Sequence, residues 1–327
     1  MSGDGGWVRM GYRSWGDLAG VRAHLAAGAD PNGEVHWQGR PLHVAAERGS
    51  AEVVAELVAH GADVEAVHEG RTPLWTAVHA DQPENARALV TAGADPWRPM
   101  MSGWSPGRLS LAGGTPDLFD RPPGAPGLTA EERAAADESR RLIDVLGSPY
   151  YEGLSLCCVA GIDAAEVARR LGATDVETDD AKEMARRLWD DSLKEESLLT
   201  VGVTDVEGGC VIAQPWAYGA STPVVCERVS TGTVCYAMYA NPKSGNPGRI
   251  FRDGRVDGWD LHPGGGWSRE DDPSGEILRT FLYRHRALAY CCAYAGLRLT
   301  DARPFTDEPD RWLRLPPGDY WSHPASS

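Results

Sequence analysis

Gly28-Ala29-Asp30, Gly61-Ala62-Asp63 and Gly93-Ala94-Asp95 decide how this chain is read. The triplets lie 33 and 32 residues apart, and each closes a stretch of helical periodicity. Pro41-Leu42-His43-Val44-Ala45-Ala46 precedes the second, and Gly70-Arg71-Thr72-Pro73-Leu74-Trp75-Thr76-Ala77 the third. Pro41 and Pro73 suit the first turn of a helix, where a missing N–H has no intrahelical partner to lose. Gly28, Gly61 and Gly93 supply the left-handed turn that ends a helix without a Cβ clash. Between them, Val53, Val54, Leu57 and Val58 fall on one helical face, as do Ala86, Leu89 and Val90. Ala45, Ala46 and Ala77 let paired helices approach closely. A unit this short cannot bury its own apolar face, so about three must stack to be stable.

Working outward, two full units are flanked by two degraded ones. The first is incomplete, with Gly16-Asp17-Leu18 to Gly28 reading as its second helix. The fourth begins at Gly103-Trp104-Ser105-Pro106 and runs through Leu109-Ser110-Leu111-Ala112. A Pro/Gly-rich stretch, residues 113–127, then interrupts the pattern. Thr129 and Glu132 have capping-box spacing and open a helix to about Leu146. That helix is either the displaced second helix of unit four or a linker.

Over residues 8–112 the chain resembles the ankyrin-repeat family, because period, Gly-Ala-Asp and Pro-Leu-His recur together. The resemblance implies an all-α solenoid of three to four helix–turn–helix repeats, over residues 8–146, that binds a protein partner. It also shows departures. Family repeats pair a Thr hydroxyl with a His imidazole, whereas here Arg40 stands at the Thr position of repeat two and Trp75 at the His position of repeat three. The solenoid is therefore expected to be less stable than a consensus one, and Trp75→His to raise its melting temperature. In this family the hairpin tips and the inner face of each first helix line a concave surface. The corresponding positions are His36, Trp37, Glu47 and Arg48 in repeat two, His68, Glu69, Arg71 and His79 in repeat three, and Met101 and Trp104 in repeat four. Trp, Met and Arg exposed on one surface are types enriched at protein interfaces.

The chain has 327 residues, 42% of them hydrophobic and 12 of them Trp, which fits two folded domains. A net charge of −15 argues against nucleic acid as a partner. Lys occurs only at 182, 194 and 243, a bias that fits a GC-rich, actinobacterium-like bacterial genome. No apolar run is long enough to span a membrane, and residues 1–6 lack the features of a signal peptide, so a cytoplasmic protein is expected. All seven Cys lie after residue 156, without Cys-x-x-Cys, and are expected as core residues of a reducing compartment rather than a zinc site.

From Ser148 the periodicity changes, and an α+β domain on a mainly antiparallel sheet is expected over residues 148–327. Strands are read at Leu154–Val159, Leu198–Val206, Cys210–Ala213, Val224–Arg228, Val234–Tyr239, Arg249–Arg252 and Val256–Trp259. Glu207-Gly208-Gly209 and Asp253-Gly254 are the turn signals. Helices are read from Asp163 to Leu171, from Asp180 to Leu193 with Met184, Leu188 and Trp189 inward, and from Ser274 to Ala295. Leu154 to Gly172, Val201-Gly202-Val203 through Gln214-Pro215-Trp216, Ser230-Thr231-Gly232-Thr233 leading into Asn241, and Phe251-Arg252-Asp253-Gly254 together resemble, over about residues 150–303, an uncharacterised actinobacterial family, a domain of unknown function. That resemblance carries over no catalytic residues.

The sequence has no phosphate loop, dinucleotide fingerprint, nucleophile elbow or zinc-protease motif. Gly264-Gly265-Gly266 reads as a loop, the acidic runs at 179–180, 190–191 and 270–272 as solvated surface, and Trp216 and Trp259 as core. No cofactor, metal or catalytic residue is assigned. Three functional readings follow. The first is an adaptor whose repeats bind a protein through the residues named above, while the C-terminal domain binds or modulates a second target. The second is an enzyme with catalysis in the C-terminal domain, polar groups converging for example around Arg228, Tyr236, Asn241 and Arg252, and the repeats recruiting substrate. The third is a solenoid that braces the rest of its own chain, signalled if the concave residues face residues 148–327. Oligomeric state is left open.

Overall fold

The computed structural model describes residues 6–7, 10–11, 14–35, 39–187, 195–241, 243 and 245–322. Two compact units emerge: Met1–Ala136 with Trp267–Leu282, and Asp137–Gly266 with Tyr283–Ser327.

The first unit is built of helix pairs. After a 3-10 turn at Ser14–Gly16 come α1 (Leu18–Ala26), α2 (Pro41–Arg48), α3 (Ala51–Ala59), α4 (Pro73–His79), α5 (Pro83–Thr91) and α6 (Pro106–Ser110). Pro41, Pro73 and Pro106 each stand at the start of their helix. Gly28, Gly61 and Gly93 take φ of +89°, +88° and +106°, the left-handed conformation their spacing called for. Layers stack in register: α2 packs on α4, α3 on α5 and α4 on α6. Asn32 and Glu65, one period apart, tie successive turns. Asn32 Nδ2 donates to the Gly61 carbonyl and its Oδ1 accepts from Asp63 N, each at 2.8 Å. Glu65 Oε1 accepts from Asp95 N at 2.9 Å. Trp7 and Trp15, both buried with ring centroids 5.3 Å apart, close the first end of the stack.

Departures from the consensus have visible consequences. Arg40 gives α2 no side-chain cap, whereas Thr72 and Ser105 each accept a backbone N–H at 3.2 Å. Trp75 is 0% exposed and among the largest buried side chains. The expected gain from Trp75→His is therefore reversed, because an imidazole would leave a cavity where the indole now packs. At the other end, the capping box forms as read: Thr129 N donates to Glu132 Oε2 at 2.8 Å and Glu132 N to Thr129 Oγ1 at 3.1 Å. Glu132 also takes a two-pronged ion pair from Arg108, tying the start of α7 (Ala130–Leu146) to α6.

The second unit is an eight-stranded antiparallel sheet with helices. Its elements, in chain order, are β1 (Ser155–Ala160), α8 (Ala164–Leu171), β2 (Thr174–Val176), α9 (Thr178–Arg187), α10 (Glu195–Leu198), β3 (Thr200–Val206), β4 (Gly209–Gln214), α11 (Pro223–Val229), β5 (Val234–Tyr239), β6 (Gly248–Arg252) and β7 (Arg255–Asp260). After α12 (Ser274–Leu282), which clusters with the first unit, follow α13 (Ala287–Tyr294), α14 (Arg303–Thr306) and β8 (Arg311–Arg314). The strand order is β2-β8-β3-β4-β1-β5-β6-β7. Alternation along β1 sends Cys157 and Val159 into the core shared with α8 and α11. Cys158 takes the other face, where it meets Cys292 of α13. Both predicted turns form. Asp253 and Gly254 have positive φ, and a Cβ on Gly209 would lie 2.0 Å from the Val159 carbonyl oxygen.

Three sequence expectations are corrected here. Val224–Arg228 is helical, within α11: Pro223 starts the helix, and burial of Val225, Cys226 and Val229 outweighs their strand propensity. The single helix expected from Ser274 to Ala295 is two, broken between Leu282 and Ala287, where His285 takes φ +60° and its N–H donates to the Gly264 carbonyl. Trp259 is 64% exposed rather than core, with the Arg249 guanidinium 4.2 Å above its ring. Of the helix expected from Asp180 to Leu193, residues 188–194, with Leu188 and Trp189, lie outside the described residues.

Candidate functional site

Among the repeat residues singled out from the sequence, Arg71 gathers several contacts. Arg71 lies at the foot of the third hairpin, where its backbone pairs with His68 in both directions, at 2.9 and 3.0 Å. Its guanidinium ion-pairs with Glu69 and is only 11% exposed. It sits there because an indole covers it: Arg71 Cζ lies 4.7 Å from the ring centre of Trp267. His79, buried at the end of α4, lies against the same indole at 4.4 Å. Trp267 is thus held by a cation–π contact and an aromatic contact from one repeat.

Trp267 leads a segment that continues along the stack. Ser102 Oγ donates to the Asp272 carbonyl at 2.6 Å. Trp104 Nε1 donates to Ser274 Oγ at 2.9 Å and to its carbonyl at 3.2 Å. In α12, Ile277, Leu278, Phe281 and Leu282 are buried, and the Phe281 ring lies 6.1 Å from that of His79. A Cβ on Gly113 would stand 3.0 Å from Phe281 Cζ, so a glycine is what lets the ring this close. The space left between Val78, Pro83, Ser110, Gly113 and Phe281 is about 10 Å³, enough for one water at most. Trp267 and α12 thus pack directly on the repeats.

The ten residues singled out from the sequence separate into distinct groups. Arg71, His79 and Trp104 meet around the 267–282 segment. Met101 and Trp104, expected as exposed, are 2% and 0% exposed. Glu47 and Arg48 pair at 2.5 Å at the end of α2. Burial raises the Glu47 carboxyl, with Arg71 opposing, and lowers Arg48. His68 packs edge-on to His43 with ring centres 5.9 Å apart, and Glu69 stands exposed at the hairpin tip with φ +48°. His36 and Trp37 lie outside the described residues. Sequence reasoning missed Ser102, Gly113 and Arg108, whose guanidinium stacks 4.2 Å over Trp104. It also missed the segment itself, since nothing in its spacing ties Trp267 to a hairpin some 200 residues earlier.

Of the four polar groups proposed as a catalytic set, Tyr236 and Arg252 share a neighbour, Tyr294, while Arg228 and Asn241 make their contacts elsewhere. Tyr236 OH donates to Asp260 Oδ2 at 2.6 Å beneath Tyr290 and Tyr294. Arg228 lies on α11, 5.8 Å from the Tyr320 ring, against the opposite sheet face. Asn241 Oδ1 accepts from Lys243 N in a local turn, and Arg252 pairs with Asp257.

Residues 12–100 match the family model for ankyrin repeats, in three copies. No curated protein matches the chain. The region is thus an ankyrin-repeat stack, a fold that generally serves protein interaction, and no helix among the described residues is long and apolar enough to cross a membrane.

Proposed function

We propose that this chain is a protein-interaction adaptor, bacterial and cytoplasmic, whose ankyrin groove is built to hold an aromatic-led, acidic helical segment. The observation that carries this is Trp267, clasped between Arg71 and His79 with α12 seated behind it. In the resting chain the groove holds Trp267–Leu282, so the repeats serve first as an internal brace. Four buried apolar side chains of that helix, each worth roughly 1.5–3 kcal/mol, keep it seated. A protein partner in trans meets what the segment leaves uncovered among the described residues, Glu69, Arg48 and the half-buried His68 and Glu47; to these the sequence adds His36 and Trp37. The surplus of acid over base disfavours nucleic acid there as elsewhere.

The test uses a labelled synthetic peptide of sequence 267–282. A Trp267→Ala/Phe281→Ala chain, shown to be folded by circular dichroism, is expected to bind the peptide in trans. Adding Arg71→Ala and Trp104→Ala is expected to abolish that binding, and the intact chain is expected not to bind. A folded, vacated groove that ignores the peptide would overturn the proposal.

A further inference from the structure

Three thiols that no sequence motif joins meet in the core of the second unit. Cys157 comes from β1, Cys226 from α11 and Cys235 from β5. All are free and fully buried, and their Sγ atoms lie within 4.8 Å of one another. The centre of a triangle that size is at most about 2.8 Å from each sulfur, whereas a metal–thiolate bond is about 2.3 Å. Closing on an ion therefore asks each sulfur to move by about 0.5 Å or less.

We propose that Cys157, Cys226 and Cys235 form a trigonal thiolate site for one Cu(I) ion. The donor set selects a soft cation. Among the described residues no fourth Cys, His, Asp or Glu joins the cluster, so the tetrahedral shell that zinc favours is not completed. The surroundings, including Val159, Val225, Ala237 and Phe251, are apolar and close the site to water. Each thiol that binds releases its proton to solvent, and neither copper nor sulfur changes oxidation state. Because the site is closed, loading accompanies folding.

The experiment takes the full chain, reduced and anaerobic, and offers Cu(I) against a chromogenic Cu(I) chelator, both to the folded protein and during refolding. The expected result is one Cu(I) retained per chain, an ultraviolet sulfur-to-copper charge-transfer band, and three sulfurs around copper by X-ray absorption. Cys158→Ser/Cys292→Ser, which removes the pair 3.8 Å apart on the other sheet face, is expected to keep all three signals. Cys226→Ala is expected to lose them. No retained copper after refolding, a two-sulfur shell in the wild type, or a band surviving Cys226→Ala would each overturn the assignment.

Discussion

The buried imidazole of His43 makes the repeat stack acid-sensitive, and a shift from pH 7 to pH 5 exposes the effect. Nε2 lies 3.0 Å from the Arg71 carbonyl oxygen and donates to it, which leaves Nδ1 as the bare nitrogen, buried without a partner. A second proton must enter at Nδ1. Burial penalises that charge, and His68, Arg71 and Arg40 repel it, so the pKa falls from 6.5 to about 4 despite the Arg71 carbonyl. The unfolded chain protonates near the ordinary value. Between those two values it binds more protons than the folded chain, so stability is lost as pH falls through that window. The full loss is about 3 kcal/mol, of which roughly 2 kcal/mol falls between pH 7 and pH 5. Hydrogen-exchange protection of the α2 and α3 amides is the assay. Relative to His43→Gln, which keeps a donor for Arg71 but cannot titrate, the wild type is expected to lose about 20-fold in protection over that interval. Glu47, raised by burial, acts with the opposite sign but is present in both chains. An equal pH response in the two chains would refute the reasoning.

Other perturbations follow from single contacts. Trp75→His empties part of a fully buried site and is expected to cost about 3 kcal/mol or more, read as a lower melting temperature. Gly209→Ala forces a Cβ onto the Val159 carbonyl oxygen at the β3–β4 turn, and loss of the native near-ultraviolet dichroism is the expected outcome. Thr129→Ala removes one arm of the capping box and is expected to cost α7 about 1 kcal/mol in denaturant unfolding. Phe281→Ala is expected to destabilise the first unit by about 3–5 kcal/mol, so exchange in α4 should rise although the substitution lies some 200 residues away in sequence.

What the sequence determined by itself was local and periodic. Pro41 and Pro73 start helices, the three Gly-Ala-Asp glycines end them, and Asp253-Gly254 turns a hairpin, because each depends on backbone freedom within a few residues. The repeat made the stack legible, since neighbours contact neighbours. Tertiary structure alone decided the rest. Val224–Arg228 became helical through burial around Val225 and Val229, which no local propensity reports. Cys157, Cys226 and Cys235 meet because alternation on β1 and β5 and the pitch of α11 aim them at one point. Trp267 reaches Arg71 and His79 across most of the chain. Such contacts are made by folding, when chain distant in sequence fills a groove that its own residues cannot close, and spacing carries no trace of them.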